Sequence, residues 1–123
     1  MTDKKILVID DDQDVLDSIS AVLSSKGYKV ITAIDGNGGV SKFKSEKPDM
    51  VLCDMMMEKV DAGIKTAKII RDTNSKVPIY LLSSIGEATS NNVSISEIGF
   101  NGVLQKPVDP DTLITQIKKV LGA

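Results

Sequence analysis

Short, mostly apolar runs alternate along the chain with longer stretches in which apolar residues recur at helical spacing. The apolar runs cover residues 6–9, 30–33, 50–53, 77–82 and 102–105. Because most of them are too apolar for a strand with one face in water, they predict strands that are buried on both faces. Amphipathic stretches follow these runs, and they predict helices over residues 12–26, 39–47, 63–72, 88–98 and 110–121.

Two of these helices carry unfavourable signals and one carries favourable ones. Gly36, Gly38 and Gly39 would each cost about 1 kcal/mol inside a helix, so the second helix is predicted to begin near Gly39 and to end before residue 48. Residues 88–98 are rich in Ser and Asn, which compete with the helix for backbone hydrogen bonds. The last helix has Asp109 as a predicted N-cap and proline at its first position.

The order of strand and helix, repeated five times, predicts the fold class. Strands buried on both faces need helices on both sides of the sheet, so we expect a single α/β domain over residues 1–123 with a doubly wound, five-stranded parallel sheet. In such sheets the binding crevice lies at the carboxyl ends of the strands. The residues directly after each apolar run are therefore the candidates for function.

Composition excludes several kinds of chemistry. The chain has no histidine and a single cysteine, Cys53, which removes internal disulfides, zinc sites and nucleophiles activated by histidine. Lys plus Arg is 15 and Asp plus Glu is 17, so there is no basic excess and we expect no direct contact with nucleic acid. No signal peptide and no run of ~18 apolar residues is visible. We therefore expect a cytoplasmic protein that makes no contact with membranes.

Oxygen-bearing and cationic side chains follow the predicted strands. Three aspartates at residues 10–12 follow the first strand, Asp54 follows the third, Ser83 follows the fourth and Lys106 follows the fifth. Carboxylates without histidine or thiolate indicate a hard cation, Mg²⁺ or Mn²⁺. For the first loop alone, a solvated acidic helix start explains the residues equally well.

The same residues are suited to phosphoryl transfer. A carboxylate beside a divalent ion can attack phosphorus to give an aspartyl phosphate, which makes Asp54 the candidate nucleophile. Lys106 would neutralise charge on the moving phosphoryl group, and Ser83 would donate a hydrogen bond to one of its oxygens. A surface lysine or a turn serine explains either residue alone, but their joint placement at separate strand ends favours a site.

The whole chain resembles a response-regulator receiver domain of bacterial two-component signalling, of the kind found in chemotaxis regulators. The resemblance rests on the run at residues 6–12, the run at residues 49–57, Ser83 five residues after proline, and the Lys-Pro pair at residues 106–107. It implies a flavodoxin-like fold with strand order 2-1-3-4-5. It also implies roles for named residues, with Asp54 as phosphoacceptor, Ser83 as switch hydroxyl and Lys106 at the acyl phosphate. In the implied metal site, Mg²⁺ is bound directly by Asp11, Asp54 and the backbone carbonyl of Met56, while Asp10 acts mainly through water.

The resemblance further implies partners. A sensor histidine kinase or a phosphotransfer protein would supply the phosphoryl group, and a downstream effector protein or domain would read the result. The last two helices and the strand between them are the expected output face and the expected surface for a homodimer. The chain would not be an enzyme beyond its own phosphoryl transfer and a slow dephosphorylation. We expect the dephosphorylation to be slow because Met56 and Ile85 are apolar and cannot orient an attacking water molecule.

Several positions depart from the family pattern. Glu58 stands where proline is usual, and Val103 occupies the position of the aromatic switch residue. These departures leave open a pseudo-receiver that binds a partner without phosphorylation. A second alternative comes from the spacing of Asp10 and Asp12 after the first strand. This spacing resembles that of the haloacid-dehalogenase phosphatases, which would place the nucleophile on the first strand at Asp10.

Overall fold

The computed structural model describes residues 4–54, 62–74, 76–84, 100–106 and 108–122. Its elements in chain order are β1 (Lys5–Ile9), α1 (Gln13–Ser25), β2 (Lys29–Ala33), α2 (Gly36–Glu46), β3 (Met50–Asp54), α3 (Ala62–Thr73), β4 (Ile79–Ser84), β5 (Gly102–Lys106) and α4 (Pro110–Leu121). The strands are parallel and form one sheet in the order β2-β1-β3-β4-β5. The predicted α/β fold and its strand order are confirmed, while the predicted helix over residues 88–98 lies outside the described residues.

The two faces of the sheet bury different halves of each strand. In β1, Leu7 and Ile9 pack with residues of α2 and α3, whereas Ile6 and Val8 pack with residues of α1 and α4. We name these groups the α2–α3 cluster and the α1–α4 cluster. These four side chains are fully buried, because successive side chains of a strand point to opposite faces and both faces carry helices. This two-sided burial explains why β1 is a continuous apolar run.

The last helix forms as its end signals predict. The Asp109 carboxylate accepts a hydrogen bond from the Thr112 backbone N–H at 2.9 Å, and Pro110 occupies the first turn. Leu113, Ile114 and Ile117 are buried in the α1–α4 cluster. The helix ends at Gly122 with a left-handed φ of 71°, which glycine adopts without a steric penalty.

Helix α2 begins at Gly36, so the prediction that it begins near Gly39 is wrong. The Asp35 carboxylate caps this helix by accepting a hydrogen bond from the Gly38 N–H at 2.6 Å. A β-carbon built at Gly39 would lie 2.5 Å from Cδ1 of Ile9, and one built at Gly36 would collide with the Thr66 hydroxyl of α3. The glycines let α2 approach β1 and α3 closely, and this packing offsets their low helix propensity.

Strand β4 lies two residues later in the chain than the predicted 77–82. Residue 77 belongs to the preceding turn, where its N–H donates a hydrogen bond to the Asn74 side chain at 3.2 Å. At the other end, Ser83 and Ser84 pair with Gln105 and Lys106 of β5. Backbone pairing with β5 extends the strand into polar residues, which the apolar pattern could not indicate.

Candidate functional site

The carboxyl ends of β1 and β3 lie side by side and bring two aspartates together. Ile9 of β1 is in register with Cys53 of β3, so Asp10 and Asp54 both follow at the same level of the sheet. The Asp10 backbone N–H donates a hydrogen bond to the Ala33 carbonyl of β2 at 3.0 Å. Asp10 is fully buried and Asp54 is 4% exposed, so both carboxylates occupy a pocket at the edge of the sheet rather than open solvent.

Three aspartates form a compact acidic cluster at this edge. Asp10, Asp11 and Asp54 each offer one carboxylate oxygen, and these oxygens all lie within 4.8 Å of one another. Asp11 is exposed, so the cluster opens to solvent on its side. The structure thus brings together three of the four predicted metal ligands, while the fourth, Met56, lies outside the described residues.

Asp12 has a different role from its two neighbours. Its carboxylate accepts a hydrogen bond from the Asp14 backbone N–H at 2.9 Å and caps α1. Its own backbone N–H donates to Oδ1 of Asp10, also at 2.9 Å. The acidic-helix-start interpretation therefore holds for Asp12 but leaves the clustering of Asp10 and Asp11 unexplained. Sequence reasoning missed the anchoring of Asp10 by Asp12, for which the only signal was an Asp two residues before another at a helix start.

The cluster creates a negative potential that reaches the opposite face of β3. Burial raises the pKa of the Cys53 thiol well above its ordinary value, and the Asp54 and Asp10 carboxylates raise it further. Cys53 itself is a core residue, fully buried in the α2–α3 cluster. A thiol held in its neutral form is neither a nucleophile nor a metal ligand, so the chemistry of this edge belongs to the carboxylates.

The backbone register also places the predicted serine and lysine. Asp54 pairs with Leu82 of β4, so Ser83 lies one residue further along the adjacent strand. Lys106 is the last residue of β5 and pairs with Ser84. Adjacent strands lie about 4.8 Å apart, so Ser83 is one strand and Lys106 two strands away from Asp54. Both residues are thus at the carboxyl edge of the sheet, where they were expected.

The donor set of the cluster suits a hard divalent cation. All three groups are carboxylate oxygens, and two of them are buried, so a cation bound there would be partly removed from water. Mg²⁺ prefers such oxygen ligands, keeps some water, and is usually bound by one or two carboxylates. The exposed side at Asp11 leaves room for water. The residues present therefore fit Mg²⁺, which the carboxylates of Asp10, Asp11 and Asp54 could hold.

The fold and the site together define a class of protein: a flavodoxin-like α/β domain with an acidic cluster, suited to a cation, at the carboxyl ends of its first and third strands. The response regulator receiver domain is the family within that class whose model matches this chain, over residues 6–118. The chain belongs to this family, and the resemblance stated from its motifs is confirmed.

Similar proteins agree with this assignment. The chain is 34% identical over 118 residues to the alkaline phosphatase synthesis transcriptional regulatory protein PhoP of Bacillus subtilis, which covers 96% of this chain and 48% of PhoP. Among solved structures, a putative response regulator from Chloroflexus aurantiacus has a TM-score of 0.87 and 27% identity, with coverage of 99% of this chain and 100% of that one. The chemotaxis response regulator CheY4 of Vibrio cholerae has a TM-score of 0.86 and 28% identity, with coverage of 97% and 99%.

The chain spans about half the length of the curated relatives that it matches. Within the described part of the chain, no helix combines the length and the apolar character needed to cross a bilayer.

Proposed function

We propose that this chain accepts a phosphoryl group on Asp54 in a Mg²⁺-dependent reaction and that phosphorylation changes the surface it offers to a partner. The proposal rests on one observation above all, the approach of the Asp10, Asp11 and Asp54 carboxylate oxygens to within 4.8 Å of one another. Three like charges at this distance repel one another unless a cation lies between them. Membership of the receiver family supports the same conclusion.

The proposed chemistry is a displacement at phosphorus. A carboxylate oxygen of Asp54 forms a bond to phosphorus while the bond from phosphorus to the donor's leaving atom breaks, which yields an acyl phosphate. Mg²⁺, when bound, would neutralise charge on the phosphoryl oxygens. Asp10 and Asp11 would hold this ion together with Asp54 and the Met56 carbonyl. Because Asp54 is 4% exposed, its carboxylate is fixed by its surroundings before the donor arrives, which reduces the entropic cost of the reaction.

Ser83 and Lys106 would act after transfer. The Lys106 ammonium would pair with the acyl phosphate, and the Ser83 hydroxyl would donate a hydrogen bond to a phosphoryl oxygen. Their positions on β4 and β5, one and two strands away from β3, support these roles. Movement of either residue toward the phosphate would shift the relative populations of two conformations of the domain.

The proposed partners are a sensor histidine kinase or phosphotransfer protein as donor and an effector protein or domain as recipient. The proposed output face comprises α4, β5 and the segment 88–98, which would also serve a homodimer. Val103, at the aromatic switch position, is partly buried against the α2–α3 cluster. Because valine has no aromatic ring, a signal carried by ring rotation is not available at this position. The relatives named as transcriptional regulators suggest transcription as the process regulated, whereas direct contact of this chain with nucleic acid is still not expected.

Phosphorylation by a small donor tests this proposal directly. We expect the purified chain to be labelled by acetyl phosphate only when Mg²⁺ is present, and Asp54→Ala to abolish the label. Asp11→Asn should raise the Mg²⁺ concentration needed for half-maximal labelling. Asp35→Ser is the matched control, because it changes an aspartate at the same edge of the sheet while retaining an N-cap oxygen.

The outcomes separate the alternatives. Label that persists in Asp54→Ala would refute Asp54 as the acceptor, and label that maps to Asp10 with turnover of a phosphate ester would indicate a phosphatase. Absence of both Mg²⁺ binding and label would indicate a pseudo-receiver.

The lifetime of the acyl phosphate provides a second test. Met56 and Ile85 cannot orient a water molecule for attack, so we expect slow self-dephosphorylation. Replacing them together by Asn and Glu should quicken the loss of label, and an unchanged rate would contradict this argument.

A further inference from the structure

The sequence contains two asparagine-glycine pairs, Asn37–Gly38 and Asn101–Gly102. In such a pair the backbone nitrogen of glycine can attack the side-chain carbonyl carbon of the preceding asparagine, because glycine has no β-carbon to hinder the approach and adopts backbone conformations that other residues avoid. Both asparagines are exposed. Sequence and exposure therefore predict equal reactivity for the two asparagines, and the hydrogen bonds around them determine which one reacts faster.

Asn101 is held in place by three hydrogen bonds. Its Oδ1 accepts from the Ile79 backbone N–H and from Nη2 of Arg71, both at 2.9 Å. Its backbone N–H donates to the Ile79 carbonyl at 2.7 Å. The side chain cannot turn toward the Gly102 nitrogen without breaking both bonds to Oδ1, one of which is charge-assisted and hence among the stronger kind. Ile79 of β4 and Arg71 of α3 therefore hold Asn101 in a position from which the ring cannot close.

Asn37 lies in the first turn of α2, where the restraint is weaker. Backbone N–H groups in a first helical turn have no carbonyl of their own helix to bond with. The Gly38 N–H instead donates to the Asp35 carboxylate at 2.6 Å, and Asp35 is only half-buried. Gly36, Gly38 and Gly39 regain more backbone freedom on opening than other residues would. A local opening that breaks the Asp35 cap therefore frees the nitrogen next to Asn37.

We propose that Asn37 is a site of spontaneous deamidation whose rate is controlled by the Asp35 cap. In the opened turn the Gly38 nitrogen loses its proton to a base and bonds to Cγ of Asn37, and the side-chain nitrogen leaves as ammonia to give a cyclic succinimide. Water then opens either carbonyl of the ring, which yields aspartate or isoaspartate at position 37. The reaction needs only water and base, and it redirects the backbone through the side chain when isoaspartate forms.

Isoaspartate at residue 37 would alter the packing next to the acidic cluster. Isoaspartate adds one methylene to the backbone in the turn that sets the position of Gly39. A β-carbon built on Gly39 would lie 2.5 Å from Cδ1 of Ile9, so α2 and β1 are too tightly packed here for Gly39 to shift toward Ile9. Ile9 directly precedes Asp10, one of the three clustered carboxylates. A lengthened first turn in α2 would therefore disturb the strand end that holds Asp10.

Ageing the full chain in mildly alkaline buffer tests the proposal, with peptide mass spectrometry to count deamidated product at each site. We expect product to accumulate at Asn37 well before Asn101. Asp35→Ala should accelerate the reaction at Asn37 by about fivefold, the factor equivalent to a capping contribution of about 1 kcal/mol. Asp35→Ser, which keeps a cap oxygen, should stay near the wild-type rate. Asn37→Gln should remove the product at this site, since glutamine is poorly placed for the same ring closure.

Arg71→Ala provides the complementary variant, because it removes one of the two donors that restrain Asn101 and should raise the rate at that site alone. Deamidation at Asn101 that equals or exceeds that at Asn37 in the wild-type chain would overturn the proposal. An unchanged rate in Asp35→Ala would do the same, as would an intact Asn37 under conditions in which the urea-unfolded chain deamidates there. None of these readouts depends on phosphorylation, so the proposal stands or fails separately from the proposed function.

Discussion

The contact between Gly39 of α2 and Ile9 of β1 predicts the result of a simple substitution, Gly39→Ala. Helix propensity alone favours the change by about 1 kcal/mol. The added β-carbon would lie 2.5, 2.9 and 3.2 Å from Cδ1, Cγ1 and Cγ2 of Ile9, whereas carbon atoms pack best at about 3.5–4.0 Å. Ile9 is fully buried, so it cannot move into solvent. Overpacking of this kind costs about 1–3 kcal/mol, and we expect the upper half of that range.

Gly39→Ala should therefore lower the free energy of unfolding by about 1–2 kcal/mol. Urea denaturation measures this as a fall in the midpoint of about 0.5–1 M for a typical urea dependence. Ser41→Ala is the matched control, because residue 41 lies on an exposed position of the same helix. It should stabilise the chain by a few tenths of a kcal/mol through propensity alone.

A double-mutant cycle with Ile9→Val tests the cause. Ile9→Val removes the nearest of the three carbons and alone should cost about 0.5–1.5 kcal/mol. Combined with Gly39→Ala it should recover about 1 kcal/mol relative to the sum of the single changes, since the new methyl group takes the vacated space. Stabilisation of Gly39→Ala by the full propensity difference, or additivity in the cycle, would refute the packing argument.

Three further predictions concern the aspartates and the thiol. Asp12→Ala should weaken Mg²⁺ binding by calorimetry because the capped turn holds Asp10, while Asp12→Asn should preserve it; equal affinities would contradict this role. The Cys53 thiol, buried and with a raised pKa, should react with thiol reagents at neutral pH only as fast as the chain unfolds, and rapid labelling of the native protein would count against it. Hydrogen bonds from the Thr112 backbone and hydroxyl lower the pKa of Asp109, so its stabilisation is present above the ordinary aspartate pKa and is lost as the pH falls through the lowered value. The stability difference between wild type and Asp109→Ala should accordingly vanish in strong acid, and a difference that persists there would show another cause.

Most of the strands and helix α4 could be predicted because the residues that define them are neighbours in the sequence. The apolar run of β1 and the Asp-Pro start of α4 are visible in the residues themselves. The start of α2 could not be predicted in this way. Its glycines look unfavourable until they are seen against Ile9 and Thr66, which come from other parts of the chain. The carboxyl end of β4 was missed for a similar reason, since backbone pairing with β5 leaves no mark on the pattern of apolar residues.

Much of the candidate site follows from topology. Parallel strands end at one edge, so aspartates after the first and third apolar runs were expected to meet, and Asp10 and Asp54 do. The different roles of residues 10–12 were not predictable, because three identical side chains are distinguished by their burial and their hydrogen bonds. Asp12 differs from its neighbours in the hydrogen bonds that its turn makes with Asp10 and Asp14, and the spacing of the aspartates was the only sign of this geometry in the sequence.

The acidic cluster joins residues from distant parts of the chain, and the pairing of β1 with β3 brings them together. No local fragment can contain it. During synthesis the nascent polypeptide must therefore remain unable to capture a divalent cation there until β3 has emerged and docked. A cation that recognises this arrangement binds native molecules in preference to unfolded ones. Bound magnesium would therefore stabilise the native state, by an amount that grows with the logarithm of the ratio of its free concentration to its dissociation constant.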